Sequence, residues 1–155
     1  MVKGKENILA DETQASKSQR RRDALERAVT LSLKWSLIFA AGFSAAYLLL
    51  GPHLINVLTD LPAVRDTTLR YLPWMIVSPL VSVWSFLYDG VYVGATRARE
   101  MRNIMVFSAF AVFIPAWFVL QPLGNDGLWL AFLLFLASRG IGMHIWYRRS
   151  VLPAL

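Results

Sequence analysis

The chain has 155 residues, 56% of them hydrophobic, no cysteine and a formal charge of +6. The lack of cysteine excludes disulfides and metal–thiolate sites. The positive charge sits at the ends of apolar runs rather than along one face, which argues for membrane flanks and against a nucleic-acid partner.

Residues 1–19 are polar and aperiodic and are expected to be disordered. The first apolar run starts too far in, and without a small-residue cleavage site, to be a removed signal peptide. Residues 35–50, 71–88, 104–120 and 128–138 contain no Asp, Glu, Lys or Arg. With their flanks, these runs satisfy what about 30 Å of hydrocarbon asks of a helix of roughly 20 residues. Because a backbone in lipid must pair its polar groups within its own segment, helices are the expected solution. The region 20–149 is therefore expected to hold four spans, near 28–50, 71–96, 104–120 and 128–147, with a short tail at 150–155. Gly51-Pro52 is expected to end the first span, leaving HLINVLTD as a short interfacial piece. In the second span Pro73 fits a first helical turn, and Pro79 should bend the helix. Pro115 should kink the third, and Asn125 or Asp126 should cap the fourth. Ala41/Ala45 and Gly42/Ala46 form small-xxx-small pairs that predict close contact with another helix.

Orientation follows from the basic residues. Thirteen Lys and Arg lie in the N-terminal segment through Lys34, the 97–103 loop and the C-terminus; two lie in the 51–70 connection and none in the 121–127 turn. The positive-inside rule puts the basic side, and both ends, in the cytoplasm. The expected fold class is an all-α integral membrane protein with four transmembrane helices, in a bacterial inner membrane.

Asp89 is the most informative residue. A carboxylate inside a span costs roughly 2.5–3.5 kcal/mol even on permissive insertion scales, so a function is its default reading. Ser78, Ser82, Ser85, Asp89, Tyr92 and Thr96 are spaced 4, 3, 4, 3 and 4, which places them on one helical face. That face either lines a path for a proton, cation or substrate, or packs small residues between helices while Asp89 pairs with an arginine. Arg139 in the fourth span lies at a similar depth. An Asp89–Arg139 pair would make Asp89 a poorer proton carrier; the alternative is that Arg139 snorkels or bonds to helix carbonyls. His144 has no acidic or histidine partner at i±3 or i±4 and reads as an interfacial residue. No nucleophile–base set, phosphate loop or metal spacing is present, so no enzyme, metal site or bound cofactor is expected.

The run SFLYDGVYVGATRAREMRN and, after the third span, QPLGNDGLWLAFLLFLASRG resemble the C-terminal end of multidrug and toxic compound extrusion (MATE) transporters, nearest to the DinF-like branch. RRDALERAVTLSLKW and GPHLINVLTDLPAVRDTTLRYLPW resemble that branch in the same order. The likeness covers roughly residues 20–147. It implies helices nine to twelve of a twelve-helix antiporter that exports small organic cations and other toxic compounds, driven by H⁺ or Na⁺ as coupling ion. It places Asp89 where the NorM branch has an acidic residue implicated in cation binding. In the DinF branch the proton-linked acidic residue lies on helix one, outside this chain. The expectation is thus a C-terminal piece, produced by a truncated gene, a frameshift or a misplaced start codon. Such a piece would transport only with the missing N-terminal part. The alternatives are a small exporter working as a dimer and a non-transporting partner of another membrane protein.

Overall fold

The computed structural model describes residues 2–152, with side chains from residue 13 onward. Five α-helices, α1 (Val2–Leu58), α2 (Pro62–Gly94), α3 (Ala98–Ser108), α4 (Ile114–Leu120) and α5 (Asn125–Trp146), make up nearly all of it. A π-turn at Ala109–Phe113 joins α3 to α4, and another at Tyr147–Val151 extends α5. Among the described residues four stretches are long and apolar enough to cross a membrane: Thr13–Leu58, Pro62–Gly94, Ala98–Leu123 and Asn125–Val151. The four expected spans are therefore present, and an even number of crossings brings both ends out on one side.

Their limits differ from the sequence expectation. Backbone from Val2 is already helical, where 1–19 was expected to be disordered; the straight-chain and alanine residues scattered through that stretch favour helix once a long apolar segment nucleates it. α1 also runs through Pro52 to Leu58 instead of stopping at Gly51. Proline removes one i→i−4 bond, which a long helix can tolerate where neighbouring structure supports it. Gly51 is buried against the Leu72 side chain, and Ile55 is buried a turn later, so packing carries α1 past the proline. α2 likewise starts at Pro62, which takes the first-turn position expected for Pro73, and Pro73 and Pro79 both lie inside it. The 150–155 tail is not separate: Val151 is buried, and residues 153–155 lie outside the described residues.

The kink expected at Pro115 takes a specific form. Pro115 has no N–H, and the turn before it widens so that the Ile114 N–H bonds to the Ala109 carbonyl, five residues back. Such π-turns are a common way to absorb a break in the i→i−4 ladder.

α1 packs along α2, and α2 along α5. The α1 contact face is Ala40, Ser44, Gly51 and Ile55, all buried, and the Ser44 hydroxyl donates to the Ile76 carbonyl at 2.6 Å. Ala41, Gly42, Ala45 and Ala46 are exposed. The small-xxx-small pairs thus lie off the face that meets α2, one or two positions, or about 100–200°, around the helix. At the other crossing Gly140 is buried beneath α2, where an added Cβ would meet the Ser85 nitrogen and the Trp84 Cβ at 3.2 Å. Glycine is what lets these two helices approach.

Candidate functional site

Asp89 and Arg139 meet at this α2–α5 crossing. An Arg139 Nη2 donates to Asp89 Oδ2, and the two side chains are 11% and 23% exposed. The pair is half satisfied: Asp89 Oδ1 and Arg139 Nε are buried with no hydrogen-bond partner. A carboxylate oxygen left in that state costs free energy, and such a group in a folded protein calls for an explanation.

The rest of the polar stripe divides into three. Ser78 and Ser82 turn to their own helix: Ser78 donates to the Met75 carbonyl at 3.3 Å and Ser82 to the Pro79 carbonyl at 3.4 Å. Met75 is the residue whose carbonyl Pro79, lacking an N–H, leaves without its usual i+4 donor, so Ser78 repairs the ladder at the proline. Ser85 and Tyr92 face α5. Ser85 is fully buried with an unpartnered hydroxyl, and the Tyr92 hydroxyl donates to the Met143 carbonyl at 2.9 Å. Thr96 lies past the end of α2, exposed, its hydroxyl on the Ala95 carbonyl. The structure therefore brings Ser85, Asp89 and Tyr92 together with Arg139, while Ser78, Ser82 and Thr96 stand apart from that cluster.

A second polar contact lies beside it, between the residue before Asp89 on α2 and the residue five after Arg139 on α5. The Tyr88 hydroxyl and His144 Nδ1 are hydrogen-bonded, and Tyr88 also packs on Tyr147 with ring centroids 5.7 Å apart. His144 is thus not merely interfacial: it has a partner across the helix pair. Tyr88, Tyr92, Met143, Tyr147 and Val151 form one buried cluster here. Local spacing along the chain missed the pair because its members are 56 residues apart. Depth gave no signal either, since Tyr88 lies nine residues before Arg97 and His144 four before Arg148.

At the opposite end Trp74 Nε1 donates to Asp126 Oδ1 at 2.8 Å, and Arg70 lies 3.7 Å from the same carboxylate. Asp126 was expected, with Asn125, to cap α5. Instead Gly124 holds the N-cap position without a side-chain cap, at φ 60°, and Asp126 ties α5 to α2. Among the described residues no group of three or more His, Asp or Glu is placed to hold a metal ion.

Residues 16–118 match the MatE family. The chain is also 46% identical over 112 residues to the DNA damage-inducible protein F of Escherichia coli (strain K12), a match covering 72% of this chain and 24% of that relative. No solved structure matches.

Proposed function

The chain belongs to the MatE family of multidrug and toxic compound extrusion transporters, and from that premise we propose that it works as the C-terminal helices of a DinF-type antiporter. The exported compounds are small organic cations or other toxic molecules, and the coupling ion is H⁺ or Na⁺. The observation that carries the reading is the intramembrane carboxylate of Asp89, held by Arg139 on one oxygen and unpartnered on the other. In this reading Ser85, Asp89 and Tyr92, which share the α2–α5 crossing with Arg139, contribute to the ion or substrate path. The charge asymmetry supports insertion into a bacterial inner membrane with both ends cytoplasmic.

Transporters built from repeats bind substrate between two lobes and move one against the other. Four spans supply only part of such a pair of lobes, so in this reading transport requires the N-terminal part of a DinF-type protein as partner. The test is flux of ethidium across vesicles under imposed pH and Na⁺ gradients. Vesicles holding this chain alone are expected to show none. Co-reconstitution with a chain carrying helices one to eight of a DinF-type transporter is expected to give flux, and Asp89→Asn to reduce it at least ten-fold. Flux from this chain alone overturns the need for a partner; full flux from Asp89→Asn overturns the role of Asp89.

A further inference from the structure

A cavity of about 930 Å³ lies between the stretch of α1 from Arg21 to Ser32 and the C-terminal end of α2 from Leu87 onward. Its walls are apolar, with Leu25 and Val29 from α1 and Val91 from α2, and its mouth carries two guanidinium groups, Arg21 and Arg97. A cavity of this kind is amphiphilic: charged where the headgroups lie and apolar toward the hydrocarbon. From Leu87 to Arg97, both of which line it, α2 and the turn that ends it rise about 15 Å, close to half of a hydrocarbon layer about 30 Å thick. Beyond that depth the trough continues. An adjoining cavity of about 500 Å³ shares Leu87 and Gly90 and reaches Phe39 and Phe43.

We propose that this groove binds one anionic phospholipid of the cytoplasmic leaflet, its phosphate on Arg21 and Arg97 and one acyl chain laid between α1 and α2. Charge complementarity selects the occupant. A zwitterionic lipid brings no net charge to the two guanidinium groups, and a free anion leaves the apolar walls unfilled. Arg97 has one Nη at 3.4 Å from Glu100, and a guanidinium has five N–H donors, so it can hold Glu100 and a phosphate oxygen together. Basic clefts between helices on the cytoplasmic side suit such headgroups. Gly90 leaves the floor open, since nothing lies within 4 Å of where its Cβ would be.

The full chain in neutral detergent is titrated with phosphatidylglycerol or phosphatidylcholine, and bound lipid is counted by native mass spectrometry. One phosphatidylglycerol is expected to bind at least ten-fold more tightly than phosphatidylcholine. Arg21→Gln with Arg97→Gln should weaken it roughly thirty-fold, about five-fold per arginine. Arg148→Gln with Arg149→Gln, the same loss of charge outside the groove, should leave affinity within two-fold. Gly90→Leu keeps every charge and fills the trough; with helicity intact by circular dichroism, it should also abolish the tight site. Equal affinity for the two lipids, or equal losses in the two double variants, would mean diffuse surface charge and overturn the proposal. So would unchanged binding in Gly90→Leu, or full displacement by millimolar inorganic phosphate, the mark of a free-anion site.

Discussion

At the scale of single residues, the Asp89–Arg139 pair and Thr96 make opposite predictions. Removing one partner of a buried pair strands the other charge, at about 3–5 kcal/mol, whereas replacing both is often close to neutral. Both side chains keep some exposure, so Arg139→Gln should cost roughly 3 kcal/mol, at the low end of that range. Asp89→Asn combined with Arg139→Gln should recover most of the loss. Unfolding in mixed detergent measures both, and equal losses in the single and double variants would mean the pair contributes nothing as a pair. Thr96 is strained instead of paired. It sits at φ 57° where α2 ends: the Arg97 N–H bonds to the Tyr92 carbonyl and the Thr96 N–H to the Val93 carbonyl, the hydrogen bonds of a Schellman cap. Glycine is the usual residue at this position, and a β-branched residue there is an outlier. Thr96→Gly should raise stability by up to about 1 kcal/mol, after the extra backbone freedom glycine gives the unfolded chain. A loss on making this change would mean the threonine side chain holds something beyond its own turn.

At the scale of elements, the α2–α5 crossing is set by Gly140, and two glycines only two residues apart, on different faces of α5, separate close packing from incidental contact. A methyl at Gly140 meets backbone and Cβ atoms of α2, which cannot move without parting the helices, while one at Gly142 meets only the Ile104 Cγ2 at 3.1 Å. Gly140→Ala should therefore cost about 1–3 kcal/mol, in the range of overpacking, and Gly142→Ala well under that; cross-linking yield between α2 and α5 in membranes would fall for the first and hold for the second. The same crossing shows what was legible in the sequence. Four spans could be read because charge-free runs report directly on hydrocarbon, and Asp89 and Arg139 because charge at depth is rare. Helix ends could not, since α1 passes through Pro52 on the strength of tertiary packing of Gly51 and Ile55. Nor could the facing of α1: Ala41, Gly42, Ala45 and Ala46 have the spacing of a packing motif, but the neighbouring face with Ala40 and Ser44 is the one that α2 covers. Tyr88 and His144 were hidden because periodicity ties together residues on one helix and is silent about which residue of another lies across from them.

At the scale of the whole molecule, orientation decides whether the Asp89 site, the basic groove and the paired ends belong to one compartment. Thirteen basic residues on one side against two on the other give a bias that short loops transmit strongly. The sequence has no cysteine, so single cysteines can report on topology without a background. Ala98 and Asn125 are exposed and lie on opposite sides of the third span. In intact bacterial cells, Asn125→Cys should react with a membrane-impermeant maleimide, and Ala98→Cys only after permeabilisation. The reverse pattern would put the arginine-lined groove outside the cell, away from the cytoplasmic leaflet lipids it is matched to. Reaction of both cysteines from outside would mean that the third span does not cross, and Pro115 with its π-turn would then mark a re-entrant segment instead of a kinked span. The expected pattern leaves α3 to α5 as a hairpin that enters and leaves on the cytoplasmic side, with Trp74 and Asp126 tying its outer turn to α2 and the Tyr88–His144 contact closing its inner end. Contacts at both ends thus join the hairpin to α2, with Arg139 lying between Asp126 and His144 along α5, so the Asp89–Arg139 pair is bracketed by two further ties across the same crossing.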